Sequence, residues 1–260
     1  MKNTLAICRR EILSFFVSPV AYFVIAGFVV LAGYFFFNLL GIFSVMFVRH
    51  QAMAGFNPGA QGPNLNQWVV EPFYFTLVII LVFLTPVLTM RLLAEERKRG
   101  TFELLITSPL SVGSIVLGKF LGVAVVLFVM CGLCFAFPLL LVYFGEPGPE
   151  LNPILSGWLG LFLCSLAFAS ISLAVSAFTE NQIVAAVSGI VTLLLLYVIH
   201  SPAETMEGPA ATVLKALSPV LQMQDLVRGI ISLQSITYFV ALIILGLFLS
   251  QRALDAHRWR

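Results

Sequence analysis

Six long apolar runs determine what this chain can fold into. They cover residues 20–48, 73–93, 116–144, 157–178, 183–200 and 233–251. A helix that crosses a bilayer needs about 20 predominantly apolar residues. The strands of a membrane barrel would instead be segments of about 10 residues in which apolar and polar side chains alternate, and the runs lack that alternation. We therefore predict an all-α integral membrane protein that forms one domain, 1–260, with six transmembrane helices.

The composition excludes a water-soluble globule. Hydrophobic residues make up 60% of the chain and charged residues only 10%, whereas a soluble domain is about half apolar and about a quarter charged. So few polar side chains cannot cover the surface of a soluble fold. The four cysteines are also too few for a disulfide scaffold.

The distribution of lysine and arginine predicts the orientation in the membrane. With six spans, both termini lie on one side, and most of the basic residues lie there with them. They are Lys2, Arg9, Arg10, Arg91, Arg97, Lys98, Arg99, Lys119, Arg252, Arg258 and Arg260. Because cytoplasmic loops are enriched in lysine and arginine, we predict a multi-pass protein of the inner (plasma) membrane with both termini in the cytoplasm.

The segment before the first span is expected to lie on the membrane surface. Residues 1–17 combine Leu5, Leu13 and other apolar side chains with Arg9 and Arg10, a composition typical of an interfacial helix. Ser18-Pro19 should then turn the chain into the first span, because the residue before a proline disfavours the helical conformation.

The loops on the far side are polar and differ in length. Residues 49–72 are rich in turn-forming residues, and the acidic loop 145–156 is short. The segment 200–235 is the longest, and we predict two short helices in it, 211–217 and 220–232, broken at Ser218-Pro219. They are too short to span and should lie against the outer leaflet.

The inner loop 91–120 contains five basic and three acidic residues in a chain with few charges. Its first residues can extend the second span as a helix that Gly100 ends, and Thr101 and Ser111 are suitable N-caps for the helices that follow. Such a charged helix-break-helix suits docking of another protein. On charge alone, a solvated loop that merely obeys the positive-inside rule fits as well.

Two motifs carry a family resemblance. Residues 95–122 read EERKRGTFELLITSPLSVGSIVLGKFLG, and this run closely resembles the cytoplasmic loop of ABC-2 type permeases, the membrane subunits of ATP-binding-cassette transporters. Residues 217–232 read LSPVLQMQDLVRGIIS. They resemble the outer segment before the last span in the gliding-motility and nitrous-oxide-maturation branch of that family, with Asp225, Arg228 and Gly229 at the matching positions.

The resemblance implies an ATP-driven transporter whose ATPase is a separate cytoplasmic subunit. The cytoplasmic loop of the permease then sits in a groove of that ATPase and transmits its closure. The coupling residues that this implies are Glu95, Glu96, Arg97, Gly100, Thr101 and Glu103. The other implied partners are membrane lipid and a second permease subunit, in a homodimer or heterodimer. In this family spans one, two and five line the interface between permeases, and export is the favoured direction.

The spacing of Gly113, Gly118 and Lys119 in GSIVLGKF imitates a phosphate-binding loop. A working loop needs small residues between the glycines and a serine or threonine after the lysine to hold Mg²⁺. Here bulky apolar side chains fill the loop, and Phe120 replaces the Mg²⁺ ligand. We expect ATP and Mg²⁺ in the partner subunit and no cofactor in this chain, with Lys119 marking the inner end of span three and reaching the lipid headgroups.

No other pattern predicts catalysis, a metal site or a nucleic-acid interface. Cys131 and Cys134 form C-x-x-C inside a span, where small-residue packing is expected, and the three histidines lack the spacing of metal ligands. Small residues in the fourth span predict close packing against another helix of this or a second chain. Two alternatives to the transporter stay open, a scaffold subunit of a membrane complex and an ATP-independent channel or secondary transporter.

Overall fold

The computed structural model describes residues 2–54, 62–98, 111–145, 148–205 and 208–258. These residues are almost entirely helical and contain no strand, which confirms the all-α prediction. The helices are α1 (Lys2–Val17), α2 (Pro19–Ala54), α3 (Glu71–Lys98), α4 (Val112–Phe144), α5 (Leu151–Ala177), α6 (Gln182–Val198), α7 (His200–Thr205), α8 (Pro209–Leu217), α9 (Pro219–Val227) and α10 (Leu233–Arg258). Six of them, α2 to α6 and α10, are long and apolar enough to cross a membrane.

The N-terminal helix α1 has two different faces. Cys8, Glu11 and Phe15 recur at helical spacing and are buried against the rest of the protein. Leu5 and Leu13 on the other side are exposed, with Arg9 and Arg10 beside them. This combination suits a helix that packs on the bundle with one face and on the membrane surface with the other.

Helix α5 is the centre of the bundle, in contact with α3, α4, α6, α9 and α10. Small residues on α5 and its neighbours allow these approaches. A Cβ atom at Gly246 of α10 would lie 2.6 Å from the backbone carbon of Ser170, and one at Gly157 would lie 2.6 Å from the ring of Tyr74. The small residues of the fourth span therefore serve packing within this chain.

The predicted loop 49–72 is shorter than the sequence suggested. Helix α2 continues to Ala54, since residues 49–54 contain no glycine or proline that would end it. On the other side, a π-helical turn, Asn66–Val70, leads directly into α3. Val69 and Val70 are fully buried there, and this apolar burial favours extending the helix over leaving the pair in a polar loop.

The segment before α10 contains three short helices. The break at Ser218 is where it was predicted, and the Ser218 hydroxyl accepts a hydrogen bond from the Leu221 amide as the N-cap of α9. The second predicted helix, 220–232, is wrong at its end, because α9 stops at Val227. Gly229 there has φ +92°, a left-handed conformation that ends a helix.

Candidate functional site

Two glycines let α1 lie directly on α4. A Cβ atom at Gly118 would be 2.7 Å from the Cβ of Ile7 and 3.0 Å from the carbonyl oxygen of Thr4. One at Gly122 would be 2.7 Å from the Cβ of Glu11. The spacing G-x-x-x-G puts both glycines on one helix face, where small residues allow backbones to approach closely. The phosphate-loop-like stretch is therefore part of a helix-packing motif.

Lys119 forms a buried ion pair with α1. Its Nζ lies 3.0 Å from Oε1 of Glu11, and the two side chains are 2% and 12% exposed. The prediction that Lys119 reaches the lipid headgroups is wrong, because the glycine pair brings α1 close enough to cover the ammonium. Removing one unpaired charge from water at a buried position costs on the order of several kcal/mol, and the carboxylate of Glu11 offsets that cost.

Cys8 lies beside this pair on the buried face of α1. Burial and, to a smaller extent, the nearby Glu11 carboxylate raise the pKa of the Cys8 thiol above its ordinary value. The thiol is therefore protonated at physiological pH. Because the thiolate is the reactive form of cysteine, Cys8 is an inert packing residue.

The ends of three helices, α3, α4 and α10, come together at the end of the bundle where α1 lies. The guanidinium carbon of Arg91 on α3 lies 4.0 Å from the centroid of the Phe15 ring on α1. At the start of α4, a Cβ atom on Gly113 would lie 3.5 Å from Oε1 of Gln251 on α10. We call this region, formed by α1, the end of α3, the start of α4 and the end of α10, the loop end. It brings both terminal helices beside the two helices that flank residues 99–110.

The predicted coupling residues lie at or beyond the last turn of α3. The helix continues through Lys98, so the backbone of Glu95, Glu96 and Arg97 is helical, as the sequence indicated. Gly100, Thr101 and Glu103 lie outside the described residues. On the far side of this segment Ser111 caps α4, and its hydroxyl accepts a hydrogen bond from the Ser114 amide at 3.3 Å.

The stretch Gly113 to Phe120 is continuous α-helix within α4. A phosphate-binding loop instead presents backbone N–H groups from a glycine-rich turn ahead of its helix. In this stretch the backbone has already entered the helix, so the glycines serve contacts with α1 and α10.

At the opposite end of the bundle the predicted outer motif closes α9. The carbonyl oxygen of Asp225 accepts hydrogen bonds from the amides of Arg228 and Ile230, at 3.1 and 2.9 Å. Gly229 then turns the chain away with its positive φ, and a Cβ there would also meet Pro153 at 3.3 Å. Asp225 acts through its backbone, and Gly229 is required by conformation.

Arg228 reaches across to α3. Its Nε lies 3.4 Å from Oε1 of Glu71, and the two side chains are 53% and 18% exposed. An ion pair this open to solvent contributes about 0–1 kcal/mol. It does, however, form one wall of a polar cleft of about 380 Å³. The cleft is lined by Asn64, Asn66, Gln67, Glu71, Glu150, Pro153, Val227 and Arg228, and we call it the outer cleft.

Sequence reasoning missed Glu11 and Glu71 as site residues. Glu11 is the one acidic residue among residues 1–17, and its isolation there was a usable signal of a partner elsewhere in the chain. Glu71 was assigned to a loop because the π-helical turn before it has no pattern of its own. No group of histidine, cysteine or acidic side chains in the described part of the chain could hold a metal ion.

Comparison with known proteins identifies the family. The model of a family described as "ABC-2 family transporter protein" matches residues 53–250, about three quarters of the chain. No curated protein matches the chain significantly. The match includes the inner loop, the outer motif, four of the six candidate membrane spans in full and most of the last one. The chain therefore belongs to the ABC-2 family of transporter proteins, as a multi-pass membrane permease subunit of an ABC transporter.

Proposed function

We propose that this chain is the permease of an ATP-driven exporter that is powered by a separate cytoplasmic ABC ATPase. The observation that carries the proposal is the geometry of the loop end, in a chain that belongs to this family. Helices α3 and α4 precede and follow the segment 99–110 in the chain, and each of them contacts a terminal helix at this end of the bundle. A push on this segment would therefore act on two membrane-crossing helices and on α1 together.

The loop end is the cytoplasmic end in this proposal. Arg9, Arg10, Arg91, Lys119 and Arg252 lie on the helices that meet there. The opposite end has Glu71, Glu150 and Arg228. A concentration of basic residues at one end of a bundle supports a cytoplasmic position for that end and for both termini, in the inner membrane.

Residues 95–103 would couple the permease to the ATPase. Glu95, Glu96 and Arg97 belong to the last turns of α3, after the buried Leu92, Leu93 and Ala94. Gly100, Thr101 and Glu103 continue the segment. Because α1 contacts α4 through Gly118 and Gly122 and contacts α3 through Phe15, closure of the ATPase would be passed to α1 and from there to α2.

A second permease subunit would complete the transporter. Helix α2 buries only a narrow stripe of small and aromatic residues, and large side chains such as Phe23, Tyr34 and Phe37 are exposed. Helix α6 similarly exposes Ile183 and Leu195. In a membrane these faces meet either lipid or another subunit, and resemblance to the family assigns α2, α3 and α6 to the interface between permeases.

ATP would be bound and hydrolysed by the partner subunit. ATP and Mg²⁺ would bind the ATPase subunit, while this chain would change conformation without catalysing a reaction. The outer motif, with Arg228 in the outer cleft and Gly229 closing α9, supports a place in the gliding-motility and nitrous-oxide-maturation branch. The mostly apolar spans favour a lipid-like or hydrophobic substrate, or mechanical work on a membrane partner.

The test is purification of the tagged chain from its native host, identification of any ABC ATPase that co-purifies, and an ATPase assay of the complex. Glu95 and Glu96 are reversed to lysine together, and Glu180→Lys is the matched control because Glu180 is an exposed acidic residue in the turn between α5 and α6, at the same end of the bundle. We expect the double reversal to lower association or ATPase activity by about tenfold, since several charge-assisted contacts would become repulsive. Glu180→Lys should leave both unchanged.

The alternatives give different results in the same experiment. Absence of any ATPase in the purified complex would contradict the transporter and support a channel or secondary transporter. Normal association and activity in the double reversal would contradict the coupling role and support a scaffold subunit.

A further inference from the structure

The outer cleft has more acceptors than its own residues use. Its charged side chains are Glu71, Glu150 and Arg228, and only Glu71 and Arg228 are paired with each other. Within the described part of the chain Glu150 is exposed and makes no hydrogen bond or ion pair. Oδ1 of Asn66 is buried there without a hydrogen-bond partner. A buried acceptor left unpaired is costly, so the cleft suits a ligand that brings N–H donors and positive charge.

Arg228 also has guanidinium N–H donors that are available to a ligand. A guanidinium carries five N–H donors, and one of them, on Nε, faces Glu71 at 3.4 Å. The side chain is 53% exposed, so its remaining donors can reach an anion at the cleft mouth. Arginine binds phosphate well because its planar fork can donate two parallel hydrogen bonds. The outer cleft can therefore accept a cation and an anion side by side.

The outer cleft lies at the depth of lipid headgroups. Its residues come from the first turns of two membrane-crossing segments, Asn66–Ala94 and Leu151–Ala177, and from the end of α9, shortly before α10 begins. Trp68 is half exposed in the π-helical turn, and tryptophan is enriched at the membrane interface. Leu151, Leu155, Ile230 and Ile231 follow the cleft residues in sequence and are all exposed. An apolar surface for acyl chains therefore adjoins the polar cleft.

The walls of the outer cleft are held rigidly. The Tyr74 hydroxyl donates a 2.8 Å hydrogen bond to the Ile154 carbonyl, and its ring fills the notch at Gly157. These contacts fasten α3 to α5. On the other side, Leu226 of α9 packs against Gly160 of α5. A site built on three helices fixed to one another is preformed for binding.

We propose that the outer cleft binds the headgroup of a zwitterionic phospholipid whose ammonium carries N–H donors, as in phosphatidylethanolamine. The phosphate binds Arg228, the ammonium binds Glu150 and Oδ1 of Asn66, and the acyl chains lie along the exposed leucines and isoleucines. This inference depends on the chain spanning a membrane and is independent of the ATPase partnership. It supplies a site at which a lipid-like substrate or a tightly held lipid is recognised.

The headgroup chemistry predicts selective binding among phospholipids. Phosphatidylcholine has the same phosphate and the same net charge, but its quaternary ammonium has no N–H to donate. Phosphatidylglycerol has the phosphate and lacks the ammonium, so Glu150 repels it. Arg228 should serve all three lipids through their shared phosphate, whereas Glu150 and Asn66 should distinguish between them.

The experiment is native mass spectrometry of the purified full chain with dioleoyl phosphatidylethanolamine, phosphatidylcholine or phosphatidylglycerol, compared in pairs at equal concentration. We expect the ethanolamine lipid to be retained about fivefold more than either competitor, the size expected for one charge-assisted hydrogen bond at a half-exposed site. Glu150→Gln should reduce that preference to less than about twofold. Arg228→Gln should lower retention of the ethanolamine and choline lipids alike. Glu180→Gln, a carboxylate removed from the opposite end, is the matched control and should change nothing.

Two results would overturn the proposal. One is equal retention of the ethanolamine and choline lipids by the unaltered protein, and the other is an unchanged preference in Glu150→Gln. Because Glu150 is exposed and unpaired within the described residues, its substitution should not disturb folding, so the test stands even if Arg228→Gln is unstable. The experiment contains no ATPase, so its failure is distinct from failure of the coupling proposal.

Discussion

Replacing Glu11 by leucine should strongly destabilise the protein, although Glu11 lies in a short helix at the edge of the bundle. The substitution leaves the ammonium of Lys119, which is 2% exposed, without the carboxylate 3.0 Å away. Removing one partner of a buried ion pair costs about 3–5 kcal/mol. Because 12% of the Glu11 side chain remains exposed, water can reach part of the pair, and we expect the lower figure of about 3 kcal/mol.

The double substitution Glu11→Leu with Lys119→Met separates the effect of the charges on stability from the effect of side-chain packing. Methionine and leucine fill similar volumes without a charge, and replacing a whole buried pair by apolar residues is often neutral or stabilising. We therefore expect the double variant to unfold within about 1 kcal/mol of the unaltered protein. The coupling energy of the cycle should then be about 2 kcal/mol or more, as expected for residues in direct contact.

The assay is reversible unfolding in mixed micelles of a mild detergent and dodecyl sulfate, followed by circular dichroism. Glu180→Leu is the control, since Glu180 is an exposed acidic residue in the same loop-end environment. A cost below about 1 kcal/mol for Glu11→Leu, with no coupling in the cycle, would refute the buried pair and indicate that Lys119 reaches the membrane surface after all.

The glycine contacts and the cysteine give two further predictions. Gly118→Ala should destabilise the protein by about 1–3 kcal/mol, because its Cβ would stand 2.7 Å from Ile7. Gly132→Ala on the same helix, with nothing within 4 Å, should be neutral or slightly stabilising in the same unfolding assay, and equal losses at both glycines would contradict close packing of α1. Cys8 should react with N-ethylmaleimide more slowly than a free thiol and faster as the pH rises, since its pKa is raised. Glu11→Gln removes a negative charge and should lower that pKa, so mass spectrometry should show faster labelling at a given pH. Unchanged or slower labelling would contradict an electrostatic effect of the carboxylate on the thiol.

Much of this fold was predictable because each part depends on local composition. A run of about 20 apolar residues must satisfy its backbone hydrogen bonds within itself when it crosses a bilayer, and only the helix does this for a single segment. The cap at Ser111 was predictable for a similar reason, since a hydroxyl at the N-cap position accepts hydrogen bonds from nearby amides. The break at Ser218-Pro219 was predictable from the proline, but the cap that Ser218 provides for α9 was not predicted.

The candidate sites were less predictable because they depend on which helices touch. Arg228 was singled out by resemblance, but its partner Glu71 is 157 residues away along the chain. Glu71 itself was assigned to a loop, since a π-helical turn has no periodic pattern to reveal it. The outer cleft forms only where the first turns of α3 and α5 meet the end of α9.

The amino-acid sequence by itself determined that the chain has six segments able to cross a membrane, at which end the basic residues lie, and where the chain is capped at Ser111 and broken at Ser218. These properties follow from hydrophobicity and backbone chemistry, which act within one segment. Only the tertiary structure decided what Lys119 does. Two glycines bring α1 within contact of α4, and that approach turns a surface cation into a buried ion pair, because a charge removed from water must find its counter-charge in the protein.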